Sequence, residues 1–600
     1  MKIAIIDSGI NFSDYFNKCK SIDGITISVV DNEVIYGKTY NDDCGHGTAV
    51  LDIFNKNIQG IYDLFIVKIF DGNFTTDSEK LFLALNYIDS FVNCNMILVS
   101  SGVRISCKKT EKLINKLIKR NIIIISAFDN NGAVSYPAGY EKVIGVESSH
   151  KYRKIEQFMY NTNSIVNIIG SDSSFRVKWL NGKSNIVRGN SFITAYFAAV
   201  IANYILTENS CSYEECLKYL QRIASDIKKY NRVKKIRPSK HFLHSGQRAI
   251  VFPFNKEIQS IAKFEKELSI IVEGYYDTKY SGHVGEKISD IYKYIDNDKI
   301  IHNYEDIDWK NSFDILILGH TGELCNITNV DYTDYFIKKC KENGKKIYCF
   351  DDISSRLSEM MSKEQYFIPQ ITSSMFTKST FGKQYLINLP VIGIFGTSSK
   401  QGKYTLQLML RRELCNMGYK VAQLGTEPSG YLFSFDYVYP MGYNSTVYVK
   451  GEEAITTVNY IMHKCEQTGK DIIIVGSQSG TVPMVNYNLK YFPMKGIEFI
   501  LGTQPDYVVL CVNMHDDINY IDRTIKYIES ICDCKVISLC VYPEKIIISD
   551  NKGYKKNTIS DDEKNEYTNV LLKTFKMNVF WLNDNEGVKL LAKNIIDDLK

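Results

Sequence analysis

Six hundred residues exceed what one hydrophobic core organises, so the chain is expected to divide into several domains. With 44% hydrophobic residues, 23% charged residues and a formal net charge of +4, it has the make-up of an ordinary folded protein. That excludes a disordered or collagen-like chain and supplies no basic surplus for nucleic acid. The opening MKIAIIDSGI reads as a first strand: one lysine and four apolar residues ended by an aspartate make no signal peptide. From residue 1 to 226 short apolar runs (IAIID, LFIVKIF, NMILVSS, NIIIISA, KVIGVES) alternate with helical stretches, the pattern of a parallel sheet covered by helices. Residues 227–248, IKKYNRVKKIRPSKHFLHSGQR, are basic, Pro-broken and aperiodic, and read as a linker. Residues 249–385 carry AIVFPFN, ELSIIVEG, FDILILGH and KKIYCFDD between helical segments such as EKISDIYKYI and YTDYFIKKCKENG, a second small α/β domain. Residues 386–600 add VIGIFG, YKVAQL, DIIIVG, DYVVLCVN and KVISLCVY as core strands of a third. No apolar run reaches the roughly 18–20 residues of a membrane span, and fifteen scattered cysteines without an export signal point to reduced thiols and a cytoplasmic protein. Cys532, Cys534 and Cys540 lack companion histidines at metal-ligand spacing.

Three residues form a reactive pattern. Asp7 ends the first strand, His46 lies in DDCGHGTAV at the start of a helical run, and Ser191 in RGNSFITAYFAAVIANYI precedes a long apolar stretch. A serine there is a common helix start. A nucleophilic serine also needs a base and an acid to orient that base, and the order Asp, His, Ser with D-S-G, H-G-T and G-N-S contexts is one of the known triad orders. On these motifs residues 1–226 resemble the subtilase family of serine proteases. The resemblance implies Ser191 as nucleophile, His46 as general base and then acid, and Asp7 as the group that fixes the imidazole tautomer. MILVSSGV, with Ser100, Ser101 and Gly102, resembles the stretch on which subtilases pair an extended peptide. IIIISAFDNNGAVSYPA resembles the block that supplies an oxyanion-hole asparagine. In one alignment Asp129 takes that position, where an ionised carboxylate donates nothing. The alternatives are a protonated Asp129, Asn130 after a one-residue shift, or a slow enzyme. Ala195 replaces the family's proline and Ile193 a small residue, while Cys44 reads as a packing residue. The sequence leaves no room before Asp7 for an inhibitory pro-segment, which favours an intracellular processing enzyme of narrow specificity.

VIGIFGTSSKQGKYTLQLMLRREL, residues 391–414, runs strand, Gly-rich loop, helix, an arrangement that wraps phosphate with backbone N–H groups and a lysine. Five residues rather than four separate Gly396 from Gly402, and Tyr404 follows Lys403 with Thr405 one later. The segment resembles the loop of dethiobiotin-synthetase-like P-loop enzymes, which begins G-T (Gly396, Thr397) and ends G-K (Gly402, Lys403). The resemblance implies ATP or GTP at this loop. Mg²⁺ is left open, because Gly476 stands where those enzymes place an acid and only Asp471, Glu427 and Thr405 remain as substitutes; proteolysis itself requires no cofactor. Residues 249–600 also resemble a family that joins a Rossmann-like module to a P-loop module, one branch of which is credited with acylating D-amino acids.

The expected architecture is therefore α/β: a subtilisin-like parallel-sheet domain, a small Rossmann-like domain and a P-loop NTPase-like domain. The expected function is a cytoplasmic serine endopeptidase that cuts a peptide or protein substrate, a ribosomally made precursor in a bacterial peptide-maturation system, coupled to a nucleotide-binding module. The alternative is a P-loop ligase or acyltransferase acting on a small amino acid or peptide, with a binding-only subtilase domain. No nucleic-acid partner is expected.

Overall fold

The computed structural model of the chain describes residues 1–11, 16–30, 33–70, 75–208, 211–230, 242–292, 294–310, 313–375, 380, 382–483, 493–514, 516–549, 553–582 and 584–599. It separates into two compact units, Met1–Val233 with Thr377–Leu386, and Lys234–Phe376 with Ile387–Lys600.

The first unit is built on one sheet. Its strands are β1 (Lys2–Asp7), β2 (Cys19–Val30), β3 (Glu33–Gly37), β4 (Tyr62–Lys68), β5 (Met96–Val99), β6 (Ile123–Ala127), β7 (Ile144–Ser149), β8 (Met159–Thr162), β9 (Val166–Ser171) and, at the far edge, β12 (Asp226–Lys229). A small hairpin of β10 (Phe175–Lys178) and β11 (Ser184–Val187) stands apart. The helices are α1 (His46–Asn57), α2 (Ser78–Phe91), α3 (Lys108–Lys119), α4 (Asn190–Glu208) and α5 (Tyr213–Ile223). The order β12-β8-β9-β7-β6-β5-β1-β4-β2-β3 is parallel at its centre. Among the described residues of this sheet β2 with β3 and β8 with β9 are antiparallel. Ile3–Ile6, Met96–Val99 and Ile123–Ile125 are fully buried, as expected where helices cover both faces of a parallel sheet. Among the described residues α4 alone is long and apolar enough to cross a membrane, and 61% of its apolar window is buried inside the protein, the setting of a core helix.

The second unit holds two parallel sheets. The first contains β13 (Arg248–Phe252), β14 (Ile271–Asp277), β15 (Ile301–Asn303), β16 (Ile315–Leu318), β17 (Lys346–Cys349) and β18 (Tyr366–Phe367), ordered β15-β14-β13-β16-β17-β18. Its helices are α6 (Gln259–Lys263), α7 (Ile288–Ile291), α8 (Gly322–Thr328), α9 (Tyr332–Glu342) and α10 (Ser354–Met360). The second contains β19 (Val391–Gly396), β20 (Val421–Gly425), β21 (Tyr437–Val438), β22 (Ile472–Gly476), β23 (Tyr507–Val512), β24 (Lys535–Val541) and β27 (Asn578–Trp581), ordered β21-β20-β22-β19-β23-β24-β27. Helices α11 (Lys403–Asn416), α12 (Glu452–Glu466), α13 (Met494–Thr503), α14 (Ile518–Ile531), α15 (Asp561–Phe575) and α16 (Asn585–Asp598) accompany it, with a separate hairpin of β25 (Glu544–Ser549) and β26 (Gly553–Thr558).

The division differs from the sequence boundaries in three places, each for a packing reason. Asp226–Lys229 pairs with β8, so the segment expected to be a linker begins as a strand; its residues 231–241 lie outside the described residues. Residues 377–385, assigned by sequence to the Rossmann-like domain, belong with the first unit. The two sheets expected as separate domains share one apolar cluster, with Val251 and Ile317 of the first and Ile392 and Leu406 of the second, and so form one unit. EKISDIYKYI, expected to be helical, carries the four-residue α7 among its described residues.

Candidate active site and nucleotide loop

The C-terminal end of β1 delivers Asp7, fully buried, to the N-terminus of α1, where His46 begins the helix. The approach is close: a Cβ on Gly47 would stand 2.0 Å from the carbonyl oxygen of Gly9, so only glycine follows the histidine. Asp7 Oδ1 lies 2.8 Å from His46 Nδ1 and accepts the Ser8 N–H at 2.7 Å; Asp7 Oδ2 accepts the Ser100 hydroxyl. Burial alone would raise the Asp7 pKa, but the charge and hydrogen bond of His46, with Ser100 and Ser8, bring it below the usual carboxylate range. Burial pulls the His46 pKa down, and the Asp7 charge and hydrogen bond, with the Asp42 charge behind them, outweigh it and set it above the ordinary 6.5. Asp42 accepts from the backbone N–H groups of Cys44, Gly45 and Thr48 and from the hydroxyls of Ser8 and Thr48, which fixes the turn that carries His46.

Ser191 lies in the first turn of α4, half-buried. The helix packs against α1, and the ring of Phe192, the next residue, meets the His46 imidazole at 5.1 Å between centroids. Asn190 ties this helix start down: its Oδ1 accepts from the backbone N–H and hydroxyl of Ser148, both at 2.8 Å, and its Nδ2 donates to the carbonyls of Phe128 and Asp129. Asn130 lies alongside, its Oδ1 accepting the Asn190 N–H at 3.0 Å and its amide against Gly189, whose φ of +128° brings the chain round the corner. Asp129 is engaged elsewhere: its carboxylate accepts from Arg104 Nε at 3.1 Å and from the Asn131 N–H at 2.6 Å. Ser100 is buried with its hydroxyl on Asp7, while Ser101 is half-buried and Gly102 exposed. Just beyond them Val103 exchanges backbone hydrogen bonds with Tyr136.

In the second unit β19 ends at Gly396, and the loop Thr397–Gly402 leads into Lys403 at the start of α11. A Cβ at Gly396 would meet Lys403 Nζ at 3.1 Å, so that glycine lets the loop close over the lysine, and one at Gly402 would strike Leu582 at 2.1 Å. Lys403 is buried, donates to the Ser398 carbonyl at 2.6 Å, and is pushed down to about 8 by that burial. The Thr397 hydroxyl donates to Asp516 and accepts from Gln401 Nε2. Tyr404 OH and Ser429 Oγ are 3.1 Å apart. A Cβ on Gly476 would fall 1.9 Å from the Gln407 amide: this side chain, one turn beyond Lys403, fills the space over that glycine. Gln407 Oε1 and Ser477 Oγ are buried there without hydrogen-bond partners. Asp471 precedes β22 and caps the Lys420 N–H, at the opposite end of the strand from Gly476, roughly 16 Å away at the usual rise per residue. It does not join Glu427 and Thr405, and among the described residues no three His, Cys, Asp or Glu side chains form a metal cluster.

Residues 379–547 match a family described as a domain of unknown function (DUF1611_C), P-loop domain. The N-terminal region is 27% identical over 214 residues to the Minor extracellular protease Epr of Bacillus subtilis (strain 168), covering 34% of this chain and 31% of that protein. It is 24% identical over 230 residues to the Major intracellular serine protease of the same organism, covering 34% of this chain and 67% of that protein. The chain couples a subtilisin-like region to a DUF1611 P-loop region. The chain thus spans about a third of the length of the first relative. A solved DUF1611 family protein from Anabaena variabilis ATCC 29413 is 12% identical, with 59% of this chain and 100% of that one covered and a TM-score of 0.44.

Several residues of the subtilisin-like unit escaped sequence reasoning. Asp42 had a signal, an acid four residues before the histidine of a helix start. Lys383, 192 positions beyond Ser191, had none. Its ammonium, in a side chain only 4% exposed, reaches Glu147 at 2.8 Å and the Gly132 carbonyl at 3.3 Å, and lies over the Phe128 ring. Gln384 O accepts the Val134 N–H at 3.0 Å. The described residues of this strap thus brace the loop that carries Asp129 and Asn130.

Proposed function

We propose that the chain is a cytoplasmic serine endopeptidase that processes a peptide precursor, with the P-loop unit binding ATP or GTP. The observation that carries the protease reading is the buried Asp7–His46 hydrogen bond at the head of α1, with the His46 ring against the residue that follows Ser191. Asp7 holds Nδ1 and leaves Nε2 to take the Ser191 proton; the serine oxygen attacks the scissile carbonyl, and the imidazolium returns that proton to the leaving amine. The Asn130 side-chain amide, fixed by its bond to Asn190, is the donor best disposed to serve the developing oxyanion, aided by the positive end of α4. Peptide main chain pairs along Ser101 and Gly102.

The nucleotide reading is supported by the buried Lys403, whose partner is a carbonyl of its own loop, and by the loop glycines. Gly396, Thr397 and Gly402 offer backbone to the phosphates, Lys403 its ammonium and Thr405 a hydroxyl, with Tyr404 packed alongside. Gly476 in the position where the resemblance expects an acid, with Gln407 filling the space above it, argues for weak Mg²⁺ dependence.

A fluorophosphonate probe tests the protease: wild type is expected to label, and Ser191→Ala to lose the label entirely. Wild type that stays unlabelled while folded, or a Ser191→Ala variant that labels equally, would refute it.

A further inference from the structure

In the Rossmann-like sheet the chain passes from β13 to β14 and β15 on one side, then crosses to β16 and β17 on the other. The switch lies between β13 and β16, and in such sheets ligands bind in the crevice beyond the strand ends there. That crevice is not bare. His320 follows β16 and Asp351 follows β17, with His320 Nδ1 and Asp351 Oδ1 2.6 Å apart and the His320 side chain 5% exposed. Asp351 also accepts from the Thr321 N–H at 3.2 Å and Asn444 Nδ2 at 3.0 Å. Asn255, which follows β13, donates to the His320 carbonyl, and its own Oδ1 is buried without a partner. With Nδ1 given to the carboxylate, the His320 lone pair is on Nε2, as in a general base.

The dyad connects to the phosphate loop by contacts inside the same unit. Tyr443 lies edge-on to the His320 ring at 5.1 Å, and a Cβ on its neighbour Gly442 would come within 3.2 Å of Gln478 Nε2. Gln478 Nε2 donates to Glu427, whose turn carries the Ser429 hydroxyl to Tyr404, the neighbour of Lys403. Glu427 is raised above the ordinary carboxylate range by burial, which outweighs the lowering effect of the Gln478 hydrogen bond.

From this juxtaposition we propose that the crevice holds a small acceptor bearing a hydroxyl or an amine, and that His320, oriented by Asp351, is the base for its attack on the terminal phosphate of a nucleoside triphosphate held at Lys403. His320 Nε2 takes the acceptor proton and the freed lone pair forms a bond to the terminal phosphorus. The bond from that phosphorus to the bridging oxygen breaks, and the nucleoside diphosphate leaves with the electron pair. The products are a phosphorylated acceptor, the diphosphate and a proton on His320. Glu427 and Gln478 orient the acceptor. The proposal rests on the reading of Lys403 as a phosphate ligand.

The test uses the full chain carrying Ser191→Ala, so that proteolysis does not interfere. Binding of ATP and GTP is measured by calorimetry, and phosphorus NMR follows hydrolysis and transfer to glycerol, ethanolamine or serine. His320→Gln is expected to leave nucleotide affinity within about twofold of the parent while lowering hydrolysis and transfer by about a hundredfold or more. Nitrogen NMR of labelled histidine is expected to show His320 protonated on Nδ1 at neutral pH, and a tautomer mixture in Asp351→Asn. Should His320→Gln fail to fold, Asp351→Asn carries the kinetic test with the same expectation. Equal turnover in parent and variant, binding with neither hydrolysis nor transfer, or a proton on Nε2 would overturn the proposal. Absence of nucleotide binding in the parent would overturn the Lys403 reading as well, an outcome calorimetry separates from the others.

Discussion

At the residue scale, the oxyanion question that the sequence left open between Asp129 and Asn130 becomes one of partners. Asp129 is paired with Arg104 and turned onto its own loop, whereas Asn130 is bonded to the residue before Ser191. Asn130→Ala is expected to lower kcat by about a hundred- to a thousandfold with KM little changed, and Asp129→Asn to leave kcat near wild type, both read with a chromogenic peptide. A clear rise in Asp129→Asn would return the carboxylate to the oxyanion. The His46 pKa sets the acid limb. The base must be neutral, so kcat/KM rises with pH through the His46 value, and because that value stands above 6.5 the midpoint is expected above 6.5. Asp7→Asn removes the stabilising charge, so the midpoint shifts to lower pH while the rate falls by about four orders of magnitude. Lys403, pushed down to about 8, gives a second pH signature. Above pH 8 the free amine is largely neutral and a phosphate favours the ammonium, so nucleotide binding takes up a proton and weakens as pH rises. Calorimetry in two buffers of different ionisation enthalpy reads the uptake, and Lys403→Ala should abolish both the uptake and the binding.

At the element scale, two fittings hold helices and loops to their sheets. Gln407 of α11 occupies the space over Gly476 of β22, so Gly476→Ala forces backbone and amide apart, while Gln407→Ala makes room. The double variant is expected to be more stable than Gly476→Ala alone, a coupling measurable by denaturant titration; strict additivity would show that the two do not meet. The strap supplies the other fitting. Lys383→Ala leaves Glu147 with an unpaired charge beside a buried site, a loss of about 3–5 kcal/mol where both partners are deeply buried and less here, since Glu147 is 23% exposed. The melting transition of the subtilisin-like unit is expected to fall by several degrees, at about 2–4 °C per kcal/mol. Lys383→Ala should also slow fluorophosphonate labelling, because the braced loop carries Asn130.

At the scale of the molecule, the two units have separate apolar clusters, the first containing β1 and α4 and the others the two sheets of the second. Two unfolding transitions are therefore expected in calorimetry, and a nucleotide at a hundred times its Kd should raise only that of the second unit, by about 2.7 kcal/mol. Lys403→Ala should remove that rise and leave Ser191 labelling intact. The sequence by itself determined the central strands, because a strand buried on both faces is apolar through its centre, as β1, β5, β6, β19, β22 and β23 are. It also determined Asp7, His46 and Lys403 as residues of interest, because each stands beside the short glycine motif that lets chain approach chain. Only the tertiary structure decided the rest. The bond of Asn130 to the residue before Ser191, Gln407 in the space over Gly476, the return of Lys383 to the first unit and the pairing of His320 with Asp351 all join residues distant in sequence. Such pairings leave no periodicity to read, since the partners meet only after crossovers of a parallel sheet bring separate strand ends to one edge.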